Sequence, residues 1–211
     1  MVSDVVVHVG RHPLLLHKLT RLRDQATPPE VFRSLVRSLT QLIFLEAVAD
    51  LRVQEHGVRT PLAEHAGRRV ADRVGLMPIL RAGLGMVEPI LEFLPEASVW
   101  HLGLYRDHDT LRPVTYYSKL PKVLELDRCL ILDPMLATGG SAIAAVEILK
   151  AAGARRIGFL GLIAAPEGVE ALTAAHPDLT IHVGAIDSHL NDKAYIVPGL
   201  GDAGDQQFGT C

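Results

Sequence analysis

Cysteine is nearly absent from this chain. Of 211 residues only Cys129 and Cys211 are cysteines, one inside an apolar run and the other at the last position. A disulfide framework is therefore not what holds the fold, and a reducing compartment fits. Long hydrophobic runs are missing too: no stretch approaches the roughly 18 apolar residues of a spanning helix, and no basic start followed by an apolar core opens the chain. The expectation is a soluble cytoplasmic protein with no membrane partner. An excess of positive charge is also lacking. The net charge of -3 offers no footprint for a phosphate backbone, so no nucleic-acid partner is expected. The ten histidines do not fall into ligand patterns: Pro13 directly follows His12, and neither the His8/His12 nor the His182/His189 pair stands beside a cysteine or acidic cluster of ligand spacing. No protein-ligated metal is expected. Repeats, low-complexity tracts and linkers are absent as well, which leaves a single domain over 1–211.

The most informative stretch is 128–150. Cys129-Leu130-Ile131-Leu132 is a short uncharged apolar run, suited to a strand buried on both faces. Asp133 ends it. Pro134, Met135, Leu136, Ala137, Thr138, Gly139, Gly140 and Ser141 then turn the chain, and 142–150 continues at helical spacing. Strand, small-residue loop and helix N-terminus together form an anion site, because the first helical N–H groups lack intrahelical partners and the helix dipole favours negative charge. Gly139 and Gly140 permit close approach of a phosphate, and Thr138 and Ser141 offer hydroxyls. The loop lacks both the lysine of a Walker A motif and the glycine spacing of a dinucleotide fold. A carboxylate directly before it suits the vicinal hydroxyls of a sugar.

The same unit recurs. Residues 76–80 form a second buried run leading into Arg81-Ala82-Gly83-Leu84-Gly85 and a helix expected over 86–94. Arg81 is either a solvent-facing strand end or a guanidinium aimed at an anion across the sheet edge. A strand over 156–165, a helix from Pro166 to near His176 and a strand over 180–186 follow. This alternation implies βαβ crossovers and an α/β fold: a mostly parallel twisted sheet flanked by helices. The N-terminal segment 1–72 is expected to be mainly helical. It holds a β-type run at 5–9, a short helix over 13–22, a long amphipathic helix capped by Thr27 and ending near Leu51, and a turn at Thr60-Pro61 into another helix. Arg33, Arg37 and Gln41 fall on the solvated face of the long helix. Residues 98–106 and 111–119, around Asp107-His108-Asp109-Thr110, read as a β-hairpin arm within 98–120, with Arg106 entering the turn. In the tail 190–211, Pro198 and the glycines at 199, 201, 204 and 209 rule out regular structure. An apolar wall, freed backbone amides and Asp202 there suit a flat heterocycle read by main-chain groups.

These motifs carry a resemblance. DPMLATGGSA (133–142) resembles the phosphoribosyl-diphosphate loop of type I phosphoribosyltransferases, in the form with proline after the aspartate that looks like the uracil phosphoribosyltransferase branch. YIVPGLGDAGD (195–205) resembles that branch's uracil-binding loop, PILRAGLGM (78–86) its diphosphate loop, and LYRD (104–107) its hairpin arginine; HPLLLHKLTRLRD and AAPEGV extend the likeness across nearly the whole chain. The resemblance implies transfer of a 5-phosphoribosyl group from phosphoribosyl diphosphate (PRPP) to uracil, giving UMP and diphosphate. It implies PRPP contacts from Arg81, Arg106, Asp133, the loop Pro134 to Ser141 and Asp202, and uracil contacts from Tyr195, Ile196, Gly201, Asp202 and Ala203. Asp133, Arg106 and Asp202 would be the catalytic group. Mg2+ would arrive bound to PRPP. A homodimer or higher assembly and a GTP effector are further implications.

Departures from the pattern are Pro134, where most type I relatives carry a second acid, and Gln206, Gln207 and Cys211, where a basic residue, an aliphatic one and a terminal lysine are usual. Weaker PRPP affinity or an altered effector response is expected from the lost positive charges. The rivals are transfer to orotate, hypoxanthine or xanthine, an RNA-binding regulator sharing the loop, and a catalytically silent homologue. The tail argues against the first, the net charge against the second, and the complete loops against the third.

Overall fold

The computed structural model describes residues 6–106, 113–121 and 123–210. In chain order these form β1 (Val6–Val9), α1 (Pro13–Leu22), α2 (Pro29–Ala47), β2 (Val53–Arg59), β3 (Glu64–Val70), β4 (Val74–Leu80), a 3-10 turn (Ala82–Met86), α3 (Val87–Leu91), β5 (Ser98–Val99), β6 (Leu102–Arg106) and β7 (Pro113–Ser118). Then come β8 (Arg128–Leu132), β9 (Met135–Leu136), α4 (Gly140–Ala151), β10 (Ile157–Ala164), α5 (Pro166–Ala175), β11 (Thr180–Ile186), β12 (His189–Leu190), β13 (Ile196–Val197) and α6 (Ala203–Phe208).

The main sheet runs β1-β11-β10-β8-β4-β6-β7. Every pair along it is parallel except the last, where β6 and β7 form the expected antiparallel hairpin. Both faces of its centre are covered, which is why β4, β8 and β10 are continuous apolar runs rather than alternating ones. The alternation survives in the destination of the side chains. Leu76, Leu130, Leu132, Leu160 and Leu162 join the core beneath α1, α2 and α3. Met77, Ile131 and Phe159 join the one beneath α4 and α5.

Several expectations fail locally. The segment read as turning into a helix near Thr60 is a second hairpin, β2 against β3, in register from Val53↔Val70 to Arg59↔Glu64. Its turn is closed by the Thr60 hydroxyl, which accepts from the N–H groups of Leu62 and Ala63. Residues 6–72, the described part of the span 1–72, therefore combine two helices with three strands. α2 ends at Ala47 rather than near Leu51, since Asp50 is drawn off to the Arg128 and Arg156 guanidiniums. Its N-cap is Pro28; the Thr27 hydroxyl instead donates to the Arg21 carbonyl at the end of α1. The face of α2 read as solvated is partnered: Arg33 donates to the Gln207 carbonyl, Gln41 to Glu92, and Arg37 pairs with Glu92. The helix read over 86–94 is a 3-10 turn from Ala82 followed by the short α3. The tail, read as irregular, contains β13 and the six-residue α6. The expected turn Asp107-His108-Asp109-Thr110, Leu111 and Cys211 lie outside the described residues.

Candidate active site

The strands β4 and β8 lie side by side and parallel, with Pro78 opposite Leu132. The residues that follow them, Arg81 and Asp133, consequently emerge on one edge of the sheet. After Asp133 the chain makes its small-residue loop, and Gly139 takes a left-handed conformation (φ 82°) at the N-cap of α4. That conformation is strained for any residue with a Cβ, and a Cβ there would also sit 3.0 Å from the Gly168 carbonyl. The result is a narrow cradle of about 80 Å³, lined by Asp133 and by Met135 through Ala142, over the first N–H groups of α4. Pro134 does not line it: its carbonyl accepts from the N–H groups of Leu162 and Ile163 in β10, anchoring the loop to the sheet.

Next to the cradle, and sharing Asp133, Met135 and Ser141 with it, is a pocket of about 330 Å³. Arg81, Ala82, Asp202 and Gly204 close its other side, and Ile79, Leu80 and Leu104 supply apolar wall. The pocket thus brings together residues from β4, β8, α4 and the tail. Asp133 is half-buried at its floor, with one carboxylate oxygen accepting from the Met135 N–H at 3.3 Å. Burial, reinforced by the nearby Asp202 carboxylate, pushes Asp133 up to about 7. Arg81 is exposed and pairs with Asp205 of α6 at 3.0 Å. The Thr210 hydroxyl and Arg81 together hold the Asp205 carboxyl below its ordinary range.

The tail is fixed by groups that no local pattern reveals. Arg23, just after α1, pairs with Asp187 at 2.5 Å and donates to the Gly199 carbonyl at 2.8 Å, while Asp187 also accepts from the Gly199 N–H at 2.9 Å. Asp202 caps α6 by accepting from the Asp205 N–H at 2.9 Å. Gln207, buried, donates to the carbonyls of Ala82 and Ala203. Of the residues expected to read the base, Ile196 and Ala203 turn their side chains into the core, Tyr195 is exposed, and Gly201 is exposed with φ 78°. None of these four lines the pocket. Arg106 ends β6 opposite Pro113; its side chain lies outside the described residues. Sequence reasoning missed Arg23, Asp187, Asp205 and Gln207 as site-building residues. Arg23 and Asp205 stand inside motifs already singled out, but their partners are distant in sequence.

Hard oxygen donors are available to a divalent cation from Asp133 and Asp202, whose mutual repulsion a cation would relieve. Among the described residues no three His, Cys, Asp or Glu side chains converge to hold a metal. That donor set fits Mg2+ carried mainly by substrate oxygens. Larger concavities exist where β4 and β8 begin, around Trp100 and Leu126 and around Arg73 and Arg155. They lack the glycine loop and helix N-terminus, and ligands of open parallel sheets bind outside the carboxyl ends of the strands.

A parallel sheet carrying an acid, a glycine loop and a helix N-terminus at its carboxyl edge places the molecule in the phosphoribosyltransferase fold class. A hypoxanthine-guanine phosphoribosyltransferase from Bacillus anthracis superposes with a TM-score of 0.52 over 75% of this chain and 80% of that one, at 9% identity, a likeness of fold alone. The AQ2163 protein from Aquifex aeolicus superposes with a TM-score of 0.89 at 38% identity, covering 96% of this chain and 98% of that one. A uracil phosphoribosyltransferase of Roseiflexus castenholzii is 64% identical over 204 residues, 97% of this chain and 98% of that one. The family profile described as uracil phosphoribosyltransferase matches residues 9–210. The chain belongs to the uracil phosphoribosyltransferase family. Among the described residues no helix is long and apolar enough to cross a membrane.

Proposed function

We propose that this protein is a pentosyltransferase that moves the 5-phosphoribosyl group from PRPP to uracil, releasing diphosphate and forming UMP. The observation that carries the reading is the shared pocket: Asp133 with Met135 and Ser141 of the loop after β8, the arginine after β4 and the acid of the tail all face one space of about 330 Å³, which adjoins the glycine cradle. In the reaction the C1'–O bond to diphosphate breaks, the C1'–N1 bond to uracil forms from the opposite face, and the N1 proton leaves to solvent. The transition state is an oxocarbenium-like sugar between a departing anion and an incoming base. Alignment and charge stabilisation therefore do most of the work.

The residues divide that work by position. Asp133 accepts hydrogen bonds from the ribose hydroxyls. Ala137 to Ser141 and the first turn of α4 hold the 5'-phosphate, with Pro134, Met135 and Leu136 setting the path of the loop. Arg81, with Arg106 from the hairpin, neutralises the leaving diphosphate, which requires Arg81 to exchange Asp205 for the substrate. Tyr195, Ile196, Gly201 and Ala203 present main-chain groups to uracil, and Asp202 stands between base and sugar. Mg2+ bound through PRPP supplies charge neutralisation of the diphosphate. The cytoplasm is where we place the activity. A homodimer or higher assembly is favoured by the β2–β3 hairpin, which among the described residues pairs with no other strand and exposes Val53, Val58, Leu62 and Val70. GTP enters as an effector through the family resemblance alone.

The test is diphosphate release with PRPP and Mg2+, offering uracil, cytosine, orotate and hypoxanthine separately, with and without GTP. Turnover with uracil alone is expected. Turnover with a different base would refute the assignment of the tail, and silence of folded protein with every base would refute the enzymatic reading.

A further inference from the structure

Two elements meet at the edge of the site. One is the turn after β4, which carries Arg81 and would hold the diphosphate. The other is α6, which continues directly from Gly201-Asp202-Ala203 and would hold the base. They are joined twice. The outer link is the exposed ion pair of Arg81 with Asp205 at 3.0 Å. The inner link is Gln207. Its side chain is 1% exposed as a residue, and its Nε2 donates to the Ala82 carbonyl and to the Ala203 carbonyl, each at 3.0 Å. The Gln207 carbonyl is in turn held by Arg33 of α2 at 2.7 Å. The turn approaches this amide so closely that a Cβ on Gly85 would lie 1.8 Å from Gln207 Oε1.

The two links differ in what the substrate does to them. A diphosphate arriving at Arg81 competes with Asp205 for the guanidinium, so the outer link opens when PRPP binds. Solvent and the ligand both reach it, and an exposed pair contributes little in any case. The inner link is sequestered from both. One buried amide nitrogen holds a main-chain oxygen on each side, beside Arg81 on one and beside Asp202 on the other. Gln207 and Ala203 belong to the same helix, so separating α6 from the turn would break the bond to the Ala82 carbonyl while the bond to Ala203 moves with α6.

On the functional reading above, on which this rests, we infer that Gln207 is a positioning residue that couples the diphosphate half of the site to the base half. It touches neither substrate. Its role is to keep α6, and with it Asp202 and Ala203, registered on Ala82 once Arg81 has turned to the diphosphate. Binding of one substrate then pre-orders the loop that receives the other. Coupling of this kind is reciprocal in binding: PRPP tightens uracil by the same factor by which uracil tightens PRPP.

The experiment is a two-substrate initial-rate matrix on the full chain, read as the factor by which saturating PRPP lowers the apparent KM for uracil. Gln207→Leu keeps a buried side chain of similar size and removes both donors. Gly85→Ala breaks the same contact from the other side by displacing the amide. The wild type should show a factor of about five or more. Each variant should reduce it by about fivefold, as loss of one buried hydrogen bond between the two elements implies, and Gln207→Leu should keep kcat within about twofold. The double variant should be no worse than either single one, because both remove one link. A merely structural role would lower the fraction of active enzyme, hence kcat, and leave the factor unchanged. Turnover of uracil by the wild type with an unaltered factor in either folded variant overturns the coupling alone. Absence of uracil turnover by the wild type overturns the functional reading and the coupling with it.

Discussion

Asp133→Asn should make the unliganded protein more stable at alkaline pH while abolishing its use of PRPP. Asp133 is pushed up from its ordinary 3.8 to about 7 by burial and by Asp202. An unfolded chain releases this proton near pH 4, whereas the folded chain keeps it until about pH 7. Between those values the unfolded state binds fewer protons than the folded one, so stability falls as pH rises. The difference from 3.8 to about 7 corresponds to about 4 kcal/mol once both states are ionised, at about 1.4 kcal/mol per pH unit. Partial access of solvent to the half-buried carboxyl brings a realistic figure to about 3 kcal/mol. Asparagine fills the same space without the charge and should recover most of this cost.

Because a little under half of the cost is already present at pH 5, the advantage of the variant should grow by about 2 kcal/mol between pH 5 and pH 8. Urea unfolding of both proteins at these two pH values measures it, and the slope of each curve checks that the denatured states are comparable. The same preparations assayed with PRPP and uracil should show at least a hundredfold loss of turnover for the variant, since its amide presents a donor where a ribose hydroxyl needs a charged acceptor. Stability differences that are equal at pH 5 and pH 8 would refute the account of Asp133 as a carboxyl held at the expense of the fold.

His182 carries the opposite dependence. It is buried, its ring stacks on that of His8 with centroids 4.4 Å apart, and burial, with His8 and Arg128 adding, pushes it down to about 4. The unfolded chain takes up this proton first as pH falls below about 6.5, so up to about 3 kcal/mol of stability should be lost between pH 6.5 and pH 4. His182→Phe, compared by thermal melts across that range, should flatten this section of the profile. Arg23→Ala should cost about 3–5 kcal/mol, because it strands the Asp187 carboxylate, whose side chain is 4% exposed. Calorimetry reads that loss, and the apparent KM for uracil should rise more than that for PRPP, since Arg23 fixes Gly199 and hence the tail. Gly139→Ala should cost about 1–2 kcal/mol for its left-handed conformation. Steady-state assays should show the reverse preference, a raised KM for PRPP with uracil little affected.

What could be read from the chain, and what could not, follows from the physical origin of each signal. The strand read over 129–132, the loop after Asp133 and the helices α4 and α5 were legible because burial on both faces forces unbroken apolar runs, and the turns between them need small residues. β11 matched at both ends for the same reason. The β2–β3 hairpin was not legible. Alternation arises when one face of a strand is buried and the other is wet, and here every residue of the pair except Gly67 is exposed, which leaves no pattern. α6 was hidden by its glycines, and it exists because Asp202 caps it and Gln207 docks it.

The site divides the same way. Asp133, Ser141 and Arg81 declare themselves by standing at the ends of apolar strands or in a glycine loop, and the structure brings them to one pocket. The pairings that hold the tail in place, Arg23 with Asp187 across 164 positions and Gln207 with Ala82 across 125, have no local signature, since nothing near either partner announces the other. Gln207 makes the point most sharply. In the sequence it stands where the family pattern has an aliphatic residue, between the two positions, 206 and 211, that lack a positive charge. In the structure its side chain is buried away from the anion site, and what it contributes is an amide nitrogen between two backbone oxygens. The consequence drawn from charge belongs to Cys211 and to Gln206, which is partly exposed beside Gly201; at Gln207 the change is from an apolar side chain to a buried hydrogen-bond donor.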